Sequence, residues 1–240
     1  MVIGRFLEYT VAAPDLIASL DFYARLGLSQ AQVGEAWPHP YAVVSDGRIC
    51  LGLHGAPRPA PSLTFVRANV LAQLDALERL GLEMELRHLG DDVFNELGWR
   101  DPDGHLIRVL EARTFSPVKR APTMTSICGY FQEIALPAAA PAVAKGFWEK
   151  LGFIGLEAPE AALPHVACTS DSIDIGLYPR ARLPAPLLIF EVEDLGAARA
   201  QLLQAGIEAG DAGPAAALGA GCLLTAPEGT QLLLLEGPLD

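Results

Sequence analysis

Apolar residues recur along the chain with two different periods, and the switches between them mark its elements. Four segments place apolar residues three and four apart: "DLIASLDFYARLG", "NVLAQLDALERLG", "AAPAVAKGFWEKLG" and "DLGAARAQLLQAG". Each reads as a helix, and each stops on a Leu-Gly or Ala-Gly pair at Gly27, Gly81, Gly152 or Gly206, where glycine suits the turn after a last helical residue. Short alternating runs precede them ("RFLEYTV", "LTFVRA", "YFQEIAL", "LLIFEVE"). Longer segments with two-residue alternation follow, among them "YAVVSDGRICLGLH" and "FNELGWRDPDGHLIRVLE". The unit is strand, helix, then three strands.

The unit occurs four times at regular spacing. Gly27 to Gly81 and Gly152 to Gly206 are both 54 residues, and a 125-residue offset relates Glu8 to Glu133, Phe22 to Phe147, Pro102 to Pro227, Gly104 to Gly229 and Glu111 to Glu236. In mid-half the offset slips to 124, pairing Pro40 with Pro164 and Gly52 with Gly176, as one deletion near Ser170 would produce. This is an internal duplication. One curved sheet with one helix leaves a face unburied, so two units should pair, helices outside and concave sheet faces free to form a pocket. The expected class is α+β: four βαβββ modules (1–56, 60–113, 127–181 and 185–237) paired into two cup-shaped, curled-sheet domains. The linker-like "EARTFSPVKRAPTMTS" places the domain boundary near Lys119, giving domains 1–118 and 119–240. That linker favours pairing within each half, with pairing across halves as the alternative.

Composition narrows the function classes. At 240 residues, 51% hydrophobic and 19% charged, the chain can bury a substantial core. A formal charge of −12 argues against nucleic acid or an anionic membrane as partner, and the one basic cluster, Arg113, Lys119 and Arg120, lies in the linker. No membrane span or signal peptide is expected, so the protein reads as soluble and cytoplasmic. Cys50, Cys128, Cys168 and Cys222 are scattered among apolar residues and read as free buried thiols.

With "LDFYARLGL", "GFWEKLGF" and "DPDGHLIRVLE" in this layout, nearly the whole chain resembles the vicinal oxygen chelate superfamily of glyoxalase I, extradiol dioxygenases and the bleomycin- and fosfomycin-resistance proteins. The resemblance implies open sheet cups, each with a divalent metal held by His, Gln or Glu from the first strand of each module and from the strand after the Pro-acid-Gly turn. Carried over, those positions are Glu8, Ser62 and Arg108 in the first half and Glu133, Leu187 and Leu233 in the second. Neither set is complete. The expectation is therefore no cofactor, with a divalent metal disfavoured.

Alternation places Phe6, Glu8 and Thr10 on the cup face of the first strand, with Phe131, Glu133 and Ala135 as their counterparts. Arg108 breaks an apolar strand, and an unpaired buried guanidinium costs several kcal/mol, so an ion pair with Glu8 across the cup floor is expected, against a solvated position at the rim. Glu133 faces Leu233 and reads as a carboxylate of raised pKa, a candidate acid or base; the alternative is a structural hydrogen bond to a backbone group, Gln231 or Tyr178. Glu8 is the other candidate acid or base. Trp37, His39, Tyr41, His54 and Tyr178 are ligand-contact candidates, each with plain packing as the alternative. The function expected is a glyoxalase- or bleomycin-resistance-like protein with degenerate metal sites that binds a small organic molecule. The alternative is a lyase, isomerase or dioxygenase of the same superfamily, metal-dependent or working through Glu133 or Glu8. Two cups in one chain make a monomer sufficient, with a homodimer also open.

Overall fold

The computed structural model describes residues 3–33, 37–91, 94–112, 126–158 and 163–237. The first half supplies strands β1 (Arg5–Ala12), β2 (Ser29–Ala31), β3 (Tyr41–Ser45), β4 (Cys50–His54), β5 (Ser62–Arg67), β6 (Leu86–His88), β7 (Glu96–Arg100) and β8 (Leu106–Glu111). Its helices are α1 (Leu16–Arg25) and α2 (Leu74–Arg79), the latter extended by a 3-10 turn at Leu71–Gln73. The second half repeats the order with β9 (Tyr130–Ala138), α3 (Pro141–Lys150), β10 (Ile154–Ala158), β11 (His165–Thr169), β12 (Asp174–Pro179), β13 (Leu187–Val192), α4 (Leu195–Gln204), β14 (Gly210–Asp211), β15 (Gly221–Thr225) and β16 (Gln231–Glu236).

Each half forms one eight-stranded sheet, in the orders β2-β3-β4-β1-β5-β8-β7-β6 and β10-β11-β12-β9-β13-β16-β15-β14. Within a module the last strand returns parallel to the first (β4 on β1, β12 on β9), while the two modules of a half meet through antiparallel first strands, β1 with β5 and β9 with β13. The sheets therefore pair modules one with two and three with four. The Lys119 boundary lies outside the described residues. The four helix-terminating glycines, Gly27, Gly81, Gly152 and Gly206, all have positive φ, from +67° to +104°, which is why the helices stop where the spacing says.

Alternation sorts the side chains, with one correction. Tyr9, Val11, Leu63, Phe65, Ile107 and Val109 join the core under the helices, and Glu8, Thr10, Ser62, Thr64 and Arg108 stand on the opposite, cup face. Phe6, expected on the cup face, lies in the core. A β-bulge is the cause: Phe6 pairs with Phe65 but Glu8 with Thr64, so one extra residue in β1 resets the alternation. The duplication repeats the device, Phe131 opposing Phe190 and Glu133 opposing Ile189. Both phenylalanines pack edge-on against those partners at 5.6 and 5.4 Å.

One apolar core runs through both halves, with Phe65 and Phe153 in edge contact at 6.3 Å. Polar ties cross the same boundary: Ser19 Oγ and Tyr23 Oη donate to Glu228 at 2.7 and 2.6 Å, and the Ile3 amide donates to the Leu151 carbonyl at 2.9 Å. Cooperative unfolding of the two halves follows. Phe153→Ala should cost about 3–5 kcal/mol and lower the midpoint of a single urea transition read alike by fluorescence and circular dichroism. Two separated transitions, with only one moved, would contradict the shared core.

Candidate functional site

The first cup floor is a polar band across six neighbouring strands: Tyr41 on β3, His54 on β4, Glu8 and Thr10 on β1, Ser62 and Thr64 on β5, Arg108 on β8 and Glu96 on β7. Glu8 is its hub and is 2% exposed. Its Oε2 accepts from Tyr41 Oη at 2.5 Å; its Oε1 accepts from Thr10 Oγ1 at 2.8 Å and faces His54 Nε2 at 3.3 Å. Burial, followed by the Glu8 charge, pushes the Tyr41 pKa far up, so the phenol keeps its proton and donates. The carboxylate fits because β4 carries Gly52 beside it: a Cβ there would come within 2.1 Å of the Glu8 carboxyl carbon. Glycine in mid-strand here makes room for a buried charge.

His54 is fully buried, and desolvation lowers its pKa, with Glu8 opposing. Its Nδ1 lies 2.8 Å from Arg58 Nη1 and 2.8 Å from His39 Nε2. A guanidinium only donates, and the same Arg58 Nη1 stands 3.2 Å from Nε2, the nitrogen that also faces Glu8. Trp37, His39, Tyr41 and His54 form one ring cluster, with centroids 4.5–6.4 Å apart, and the Arg58 guanidinium lies 4.7 Å over Trp37. These four ring residues, taken singly as ligand candidates, are thus brought together.

Arg108 is 6% exposed and does not pair with Glu8. Its Nη2 makes a close ion pair with Glu96, which Arg58 also approaches at 3.9 Å. The expected partner was wrong because Thr64 lies between Glu8 and Arg108 in register, whereas Glu96 stands on the strand directly beside β8, two residues from Arg108's partner Gly98. Burial raises the Glu96 pKa, with Arg58 as the main opposing influence. Among the described residues, Arg108 Nε and Nη1 and the Ser62 hydroxyl are buried with no hydrogen-bond partner.

The second cup repeats the hub with two residues exchanged. Glu133 takes the place of Glu8 and Gly176 that of Gly52, its missing Cβ leaving room within 2.3 Å of Glu133 Oε1. Tyr178 stands where His54 does and His165 where Tyr41 does. Tyr178 Oη donates to Glu133 at 2.5 Å, and His165 stacks on Tyr178 at 4.4 Å. The structural alternative for Glu133, a bond to Tyr178, is realised. Its pKa is raised by burial, against the lowering influence of that bond and of His165. The remainder of the band is apolar: Ala135, Leu187, Ile189 and Leu233 stand where Thr10, Ser62, Thr64 and Arg108 do, and Leu163 where His39 does. Leu183, Ala212 and Ala215 pack with them in one buried cluster. These apolar side chains pack across much of the second cup floor, with Glu133 left partly exposed.

No family model and no curated protein matches the sequence. Solved structures do. A catechol 2,3-dioxygenase matches with a TM-score of 0.59 at 14% identity, over 99% of this chain and 89% of its own. An extradiol ring-cleaving dioxygenase from B. fuscum matches with a TM-score of 0.64 at 16% identity, over 99% and 73%. The chain shares the fold of these dioxygenase structures. The positions at which the sequence resemblance implies metal ligands hold a carboxylate, a hydroxyl and a guanidinium in the first cup, and a carboxylate and two leucines in the second. Neither donor set fits a divalent cation, because the single carboxylate of each hub is already committed to protein donors and Arg108 would repel the ion.

Two residues central to the first cup, Arg58 and Glu96, are not evident in the sequence. Glu96 shares the cup face of β7 with Gly98, a two-residue spacing that marks it inward-facing. Arg58 sits in the proline-rich "GAPRPAPS" loop and gives no periodic signal.

Two outcomes follow. Gly52→Ala should destabilise the protein by about 1–3 kcal/mol or more, measured by urea denaturation; an unchanged midpoint would show that Glu8 is not seated against β4. Because Glu133 binds its proton more tightly folded than unfolded, the native state holds the extra proton between the ordinary carboxylate range and the raised value, and stability falls as pH rises through that window. Glu133→Gln should flatten this fall in unfolding curves recorded across pH; an unaltered slope would rule the group out.

Proposed function

We propose that the protein binds a small organic molecule in its first cup, without a metal ion, and that the second cup is a structural copy. The observation that carries this reading is the contrast between two cups built on one plan: apolar side chains pack the second, while the first keeps a polar floor with buried donor atoms that no described residue accepts from. Buried donors without partners cost about 1–3 kcal/mol each, a cost that a bound molecule relieves. The ring cluster around Trp37 is the flat wall against which a planar group stacks. Membrane and nucleic-acid partners remain disfavoured by the acidic charge, and no helix among the described residues is long and apolar enough to cross a membrane.

A second reading, acid–base catalysis of the lyase or isomerase type at Glu8, draws on the hydrogen-bonded line from Glu8 through His54 to the partly exposed His39, a route for a proton out of the floor. Glu133, partly exposed, bonds instead to Tyr178, which stacks on His165.

Ligand-observed NMR with a library of monocyclic aromatic compounds, acids and neutral members alike, tests the binding reading. Some members should bind at one competitive site and weaken about tenfold or more in Trp37→Ala, while Tyr178→Phe in the second cup leaves them unchanged. Absence of any binder, or binding lost with Tyr178→Phe and kept in Trp37→Ala, would overturn it.

A further inference from the structure

Charged groups at the floor of the first cup point to the class of molecule it accepts. Four sit there, Glu8, Glu96, Arg58 and Arg108, and they differ in how far their hydrogen-bonding atoms are satisfied. Glu8 is surrounded by donors from Tyr41, Thr10 and His54, and Glu96 lies between both guanidinium groups. Glu8 is therefore a saturated acceptor, whereas Glu96 is held by the charge of the two guanidinium groups alone, its Oε1 buried without a hydrogen-bond partner among the described residues. The bases are not saturated. Arg108 makes its ion pair through Nη2, and among the described residues its Nε and Nη1 have no acceptor, nor have Arg58 Nε and the Ser62 hydroxyl, all of them buried.

Their placement makes one patch of these donors. Ser62 and Thr64 alternate on the cup face of β5, and β8 runs parallel beside it with Leu106 opposite Ser62 and Arg108 opposite Thr64. Thr64 Oγ1 is held by Thr10 Oγ1 at 2.7 Å, so the Arg108 side of the floor offers donors and the Glu8 side is closed by its own network. In the second cup Leu187 and Leu233 stand in the two corresponding positions and the patch does not exist.

We infer that the first cup recognises an oxyanion, the carboxylate of a small planar organic acid, through Arg108 and Ser62, with its ring against the Trp37 cluster. This rests on the first cup being a ligand site and goes further in fixing the charge and the end of the molecule that enters first. Arginine suits the role because its donors are spread around a planar cation, and charge-assisted hydrogen bonds in a dry site are about twice as strong as neutral ones. An amide of the same shape presents one acceptor oxygen and brings a donor amine towards the guanidinium.

The test uses the intact chain and matched pairs of substituted benzoates and their benzamides as probes, with affinities from ligand-observed NMR at fixed salt and pH. Benzoates should bind about tenfold or more tighter than their amides, and both Arg108→Gln and Ser62→Ala should narrow that gap, Arg108→Gln the more. Should Arg108→Gln fail to fold by circular dichroism, the acid–amide gap of the wild type and its narrowing in Ser62→Ala decide the matter. Amides binding as well as acids, or a gap that survives the folded variants, would overturn the oxyanion assignment while leaving the cup a ligand site. Failure of every acid and amide to bind would remove both.

Discussion

A carboxylate set into the middle of a sheet, fully buried at Glu8 and partly at Glu133, is the constraint around which each half of this molecule is organised. Placing Glu8 or Glu133 there requires a neighbouring strand without a Cβ, supplied by Gly52 and Gly176, and a tyrosine hydroxyl at 2.5 Å, supplied by Tyr41 and Tyr178. It also requires the bulge that lets Phe6 and Phe131 enter the core while the next-but-one residue turns into the cup. Without these, desolvating a carboxylate would cost several kcal/mol. The tyrosine and histidine exchange strands between the two halves, but the hub survives, so what both halves retain is the solvation of the acid rather than a particular residue at a particular site.

Beyond the hub the halves diverge. In the second, leucine, isoleucine and alanine complete a core-like filling over the sheet. In the first, the same positions carry hydroxyls, imidazole and guanidinium, and the charges balance as two acids against two bases. Arg58 links the halves of that first cup physically, reaching His54 in one module and Glu96 in the other. Such cross-module contacts fix the floor of the cup in one arrangement.

Much of this architecture was legible in the sequence because repetition and glycine placement are local signals. Four helix stops and a constant offset specify the modules, and the offset slip that pairs Gly52 with Gly176 already marks the two positions that make room for the acids. Alternation placed Glu8, Glu133 and Arg108 on the inner face correctly. It failed at Phe6 and Phe131, because a bulge leaves no mark on a hydrophobic pattern when the displaced residue is itself apolar. It failed again in naming Arg108's partner, since strand order decides whether Glu8 or Glu96 is the nearer acid, and Glu96 belongs to the adjacent strand. Arg58 was invisible because its loop position follows no period.

Arg108 and its carboxylate neighbours occupy the part of the first cup where the sequence resemblance implies a metal ion. Elemental analysis of protein purified without chelator, and again after dialysis against iron, manganese and zinc salts, measures this directly. The account predicts divalent metal far below one equivalent per chain in both preparations. One equivalent of any of these metals that survives dialysis and disappears in Glu8→Ala would contradict it.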